Sequence, residues 1–162
     1  MTSARTLAIL SLLVLTISLR SGAQAAGPND SATHSSAGCT LRIHVDGLRN
    51  SKGNIGTIVF TTPAGWPEDK SKAFRVGPAP IDPGQRQGTA VWKDIPPGDY
   101  GVAAIHDENS NAKLDKNLIG IPKEGFGFAN NPHVGWAPAP FHAALVHVGC
   151  PETEITIHIQ YK

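Results

Sequence analysis

The stretch TLRIHVD, residues 40–46, alternates apolar and polar side chains without a break. Leu41, Ile43 and Val45 fall on one side of an extended chain, and Arg42, His44 and Asp46 on the other. That is the period of two that a half-buried strand requires. The same period returns in TEITIHIQY, residues 153–161, where Ile155, Ile157 and Ile159 are in phase, and in YGVAAIH, residues 100–106, where Tyr100, Val102 and Ala104 are. These nine side chains are expected to share one core.

Further strands are expected in IGTIVF (55–60), around AFRV (73–76), in TAVWKDI (89–95) and in FHAALVHV (141–148). RNSKGN (49–54) reads as a turn joining the first two strands into a hairpin. PPGD (96–99), with Pro97 and Gly98 placed as a type II turn wants them, reads as the turn of a second hairpin. No window shows capped helical periodicity. The expected fold is all-β: a single Ig-like or prealbumin-like antiparallel sandwich of about seven strands, with one long, functional-looking loop over residues 106–140.

The domain is expected over residues 39–162. Before it, Arg5, a 13-residue apolar run (7–19) and AQA (23–25) form the pattern of a secretory signal peptide over residues 1–25. Thirteen apolar residues fall short of the roughly 20 that span a bilayer, so no membrane span is expected in the mature chain. Residues 26–38 are polar and aperiodic, and are expected to be a disordered lead-in. Of 14 Lys and Arg, two (Arg5 and Arg20) lie in the leader, leaving 12 against 13 Asp and Glu. That near balance carries no nucleic-acid footprint. Cys39 and Cys150 are the only cysteines, and an even count in an exported chain favours a disulfide over two buried thiols. If the first and last strands lie side by side and parallel, both sulfurs reach the same end of the sheet.

Chemistry concentrates in HDENSNAKLD, residues 106–115. Asp107, Asn109, Asn111 and Asp115 occupy positions 1, 3, 5 and 9 of a window, with the Lys113 carbonyl at position 7. Alternating oxygens of this kind can wrap calcium. Ala112 stands where the sharp turn prefers Gly, and Leu118 where an EF-hand has Glu, so Glu124 is the candidate to complete the shell. Affinity on the order of 10⁻⁴ to 10⁻³ M is expected. The alternative is pure turn chemistry, since Asn and Asp form Asx-turns and tolerate left-handed backbone. Leu114 and Leu118 are the expected anchors of the loop. His106 is either a structural hydrogen-bonding group or a base paired with Glu124. Phe126, Phe128 and Trp136 are either a ligand platform or an apolar plug at one end of the sandwich.

The 38 residues IPPGDYGVAAIHDENSNAKLDKNLIGIPKEGFGFANNP (95–132) closely resemble the signature of the bacterial domain-of-unknown-function family numbered 2141. The resemblance extends over about residues 41–159. It rests on His106, Asp107, Asn109, Asn111, Asp115, Gly120, Pro122, Glu124, Gly125, Phe128 and Asn130. Ala112 departs from the pattern, which commonly has Gly there. The resemblance implies an exported β-sandwich of the transthyretin or Cna-B kind and implies no activity. Two functions therefore stand as expectations. One is an exported, non-enzymatic binding or structural module that binds calcium in its loop and an unidentified ligand or envelope partner. The other is a metal-assisted or acid–base hydrolase using His106, Glu124 and Asp107.

Overall fold

The computed structural model describes residues 38–162 apart from Trp136. The expected leader and almost all of the expected lead-in lie outside the described residues. Eight strands are present among them: β1 (Cys39–Asp46), β2 (Asn54–Phe60), β3 (Arg75–Ala79), β4 (Gly88–Ile95), β5 (Gly98–Asp107), β6 (Gly125–Phe128), β7 (Leu145–Val148) and β8 (Glu152–His158). They form two sheets, one ordered β4-β1-β8 and the other β3-β2-β5-β6, with β7 also pairing β5. The all-β sandwich is as expected, with one strand more.

The period of two works as the sequence implies. Leu41, Ile43, Val45, Tyr100, Val102, Ala104, Ile157 and Ile159 are all buried between the sheets, and Ile155 is half-buried against them. β1 and β8 run parallel, with Ile43 beside Ile155 and Val45 beside Ile157. Their shared direction brings the cysteines to one end, and a Cys39–Cys150 disulfide joins them with Cα atoms 4.5 Å apart. In the chain-entropy account, closing a loop of 111 residues stabilises by about 4 to 5 kcal/mol.

Both expected hairpins are absent. β1 pairs with β4 and β8, whereas β2 pairs with β3 and β5. Residues 47–53 carry the chain from one sheet to the other, so the apolar faces of β1 and β2 meet across the interior rather than side by side. The same holds for β4 and β5. There the Tyr100 hydroxyl donates to the Pro96 carbonyl at 2.8 Å, pinning a corner between sheets instead of a turn within one. The strand expected near residue 73 starts at Arg75, and the first half of FHAALVHV is the 3₁₀ turn Phe141–Ala144.

β5 is the central strand of its sheet and is buried on both faces. Its outer side, Gly101, Ala103 and Ile105, is built of small residues until close to its end. A Cβ on Gly101 would meet the Phe141 ring at 2.4 Å. Over this outer face lies a second apolar cluster of Ala103, Phe126, Phe128, Val134, Ala139 and Ala144, with Ile58, Trp66, Ile105 and Leu114 packed against it. The molecule thus has three layers: the small sheet, the large sheet, and a cover of loops.

Candidate functional site

The loop from Glu108 to Glu124 is held by carboxylates aimed at backbone N–H groups. Asp107, 1% exposed at the end of β5, accepts from the Asn111 N–H on one oxygen (3.0 Å) and the Ala112 N–H on the other (2.7 Å). Glu124, 4% exposed, accepts from the Glu108 N–H (2.9 Å) and the Asp115 N–H (2.9 Å). One carboxylate therefore gathers the first turn of the loop, and the other pins its start to its middle. Hydrogen bonds to ionised groups are worth about 1.5 to 3 kcal/mol each, more than neutral ones.

The remaining expected ligands join the same knot. Asn109 and Asn111 donate their side-chain amides to the two oxygens of Asp115, at 2.8 and 3.0 Å. Asn109 Oδ1 accepts from the Asn111 N–H, and Asn111 Oδ1 from the Lys113 N–H. The structure thus brings Asp107, Asn109, Asn111, Lys113, Asp115 and Glu124 together at the end of β5, with Asx-turn chemistry throughout. Ser110 and Ala112 take left-handed φ of 58° and 60° to make the bends. Of the two expected anchors, Leu114 joins the outer apolar cluster, but Leu118 is fully exposed. The chain turns out at Asn117, whose Oδ1 accepts from Ile119 and Ile121, and this lifts Leu118 away from the sheet.

His106 is fully buried. One ring nitrogen meets the Tyr161 hydroxyl at 2.7 Å and the other the Lys52 carbonyl at 2.9 Å. Glu124 directs its oxygens elsewhere, so the two members of the expected acid–base pair have different hydrogen-bond partners. The carboxylate nearer to His106 is Glu108, at 3.8 Å. Arg49 binds Glu108 at 2.6 Å, donates to the Lys123 carbonyl and stacks over the Tyr161 ring at 4.6 Å. Burial by itself would raise the Glu108 carboxyl. The hydrogen bonds from Arg49 and Asn50, with the charges of Arg49 and His106, outweigh it and hold the group below its ordinary value.

Phe126 and Phe128 stand on β6, a strand the sequence reading placed inside the loop. Their rings lie 6.0 Å apart on the outer face of the large sheet, not at an end of the sandwich. They help floor a cleft of about 930 Å³. Its floor also includes Ile58, Ala103 and Ile105, and its walls come from β3, the Asp/Asn-rich loop and Val134, Gly135, Ala137 and Pro138. This is the size and character of a small-molecule site, concave and apolar with a few polar groups around it. Trp136 lies outside the described residues.

Sequence reasoning missed Val76, Ile119 and Lys70, all of which line the cleft. The available signal was LIGI, residues 118–121, an apolar run with no reason to sit in a polar turn. Val76 stood in an edge strand whose partner was not legible.

The family model described as "Uncharacterized protein conserved in bacteria (DUF2141)" matches residues 43–156, from within β1 to within β8 and across the whole loop. Comparison with curated proteins and with solved structures finds no match. With the match spanning most of the sequence, the chain belongs to this bacterial family, DUF2141.

Proposed function

We propose that the chain is an exported, non-enzymatic binding module that takes an apolar small molecule in the cleft over the outer face of its large sheet. The observation that carries this reading is where the exposed apolar side chains lie. Among the described residues, four large hydrophobic side chains are exposed: Val76, Val91, Leu118 and Ile119. Two of them, Val76 at 42% and Ile119 at 80%, line the cleft, and Leu118 adjoins it in the chain. A single exposed valine is ordinary. Two apolar rims around an aromatic floor form a surface that a ligand would take out of water. The Cys39–Cys150 disulfide supports an oxidising compartment, in line with the leader expected at residues 1–25.

The test is a fluorescence titration with the neutral apolar probe N-phenyl-1-naphthylamine. Saturable enhancement is expected, and it should be weakened by Val76→Asp and by Ile119→Asp, both at exposed positions where the fold tolerates charge. Enhancement that is absent, or unmoved by both substitutions, would rule out the cleft.

Calcium in the loop is the second proposal, and one observation favours it. Asp115 spends its oxygens on the amides of Asn109 and Asn111, and a half-turn of each amide would present an oxygen in place of its NH₂. A cation could then collect Asp115, Asn109 and Asn111 while Asp107 and Glu124 keep their backbone partners, at the expense of the bonds that the Asn111 and Lys113 N–H groups now make to the Asn109 and Asn111 Oδ1 atoms. Thermal unfolding in calcium and in chelator tests it. Saturation at 100 times the dissociation constant stabilises by about 2.7 kcal/mol. Equal melting in both buffers leaves the loop as turn chemistry alone.

A further inference from the structure

Four lysines line the cleft: Lys70, Lys113, Lys116 and Lys162. Lys116 is neutralised by Glu68 at 2.6 Å. The ammonium groups of Lys70 and Lys162 meet only backbone carbonyls, those of Ala112 and Val134, and Lys113 has no ion-pair partner among the described residues. The lining carboxylates are differently placed. Glu68 is engaged by Lys116, Asp107 is buried with both oxygens turned onto loop N–H groups, and Asp115 holds the two Asn amides. The cations therefore keep charge available at the cleft, while the nearest acids are turned into the loop or already paired.

Position adds to charge. Lys70 reaches from the β2–β3 connection to the Ala112 carbonyl, next to Lys113 in the chain, so both lysines border one corner of the cleft, beside the Asp107 end of β5. From that corner the apolar floor runs along β5 past Ile105 to Ala103, a rise of about 13 Å. Resting on the binding function just proposed, we infer that the ligand is an anionic amphiphile. Its acyl or similar apolar chain lies along β5 between Phe126 and Ile58, and its carboxylate or equivalent anion sits at the Lys70–Lys113 corner.

The experiment is an amide NMR titration of the oxidised protein with sodium decanoate and, in parallel, with 1-decanol. Both should shift the floor amides of Ile58, Ala103 and Ile105. Only decanoate should also shift Ala112 and Lys113, and it should bind roughly fivefold more tightly, the scale of one exposed ion pair. In Lys113→Gln, and in the double variant with Lys70→Gln, that advantage should vanish while decanol binding stays. Equal affinity for acid and alcohol in the unaltered protein would overturn the anionic ligand and leave the apolar cleft standing. No shift of the floor amides with either compound would remove the binding function itself.

Discussion

The two faces of the large sheet are covered in different ways. The inner face meets the small sheet through alternating apolar side chains, Ile55 and Val59 from β2 and Tyr100, Val102 and Ala104 from β5, all buried in one core. The outer face meets loops, which combine the apolar packing of Trp66, Val134, Ala139 and Ala144 with two buried carboxylates bonding backbone N–H groups of the 108–124 loop. Sheet-on-sheet packing fills space because both partners repeat every second residue. A loop has no such repeat and leaves volume between its anchors. That is why the cleft lies on the outer side.

The comparison breaks hardest at the inner layer. Replacing both cysteines by serine (Cys39→Ser with Cys150→Ser) should lower global stability by about 4 to 5 kcal/mol in urea unfolding. Strand amides on both sheets should lose hydrogen-exchange protection together. Next comes the outer layer. Glu124→Ala strips acceptors from the Glu108 and Asp115 N–H groups and should cost about 2 to 3 kcal/mol. Here the loss should be local: amides of residues 108–123 exchange faster while those of β1 and β8 keep their protection. Uniform loss across the molecule would mean the cover and the sandwich unfold as one unit.

Ala112→Gly should work in the opposite direction. An alanine at φ +60° carries about 1 to 2 kcal/mol of left-handed strain, offset by the greater freedom of glycine in the unfolded chain. A net gain of up to about 1 kcal/mol should appear as a raised melting temperature. The smallest effect concerns pH. Glu108 has its carboxyl held below the ordinary value of 4.5, so its tie to Arg49 contributes above that pH and fades as pH falls through the depressed value. Glu108→Gln should cost a few tenths to about 1 kcal/mol near pH 7, and that cost should shrink as pH falls through the depressed value. A cost that persists in acid would assign Glu108 a packing role instead.

The same contrast explains what could be read from residues alone. Leu41, Ile43 and Val45 announce their strand because one face is wet, and the even cysteine count announced the Cys39–Cys150 disulfide, which the parallel pairing of β1 and β8 allows. β6 gave no such signal. Its four residues, GFGF, are all buried, with Gly125 and Gly127 pressed on Ile159 and Ile157 and the two Phe rings on the outer side. A strand wet on neither face shows no polar alternation. The turns at 49–54 and 96–99 were visible as turns. Whether a turn returns to its own sheet or crosses to the other depends on distant strand pairings, such as β1 with β8 and β2 with β5, and local spacing does not encode them. In the loop, Asp107, Asn109, Asn111, Asp115 and Glu124 hydrogen-bond within one stretch of backbone, as the Asx-turn alternative has it. The exposure of Leu118 was not legible, because an apolar residue in a turn normally looks for cover.

The disulfide between the first and last strands also decides how the molecule carries force. A load applied between residue 38 and residue 162 enters at Cys39, crosses the sulfur bridge to Cys150 and leaves along residues 151–162. Everything from Thr40 to Gly149, with every strand but β8 and the cleft lining apart from Lys162, hangs beside that path rather than in it. β8 is the one strand under tension, and it is already extended. Oxidised, the domain behaves in a pull as a short, nearly inextensible link with the outer face of its large sheet unloaded. Reduced, the same pull would reach every strand in turn.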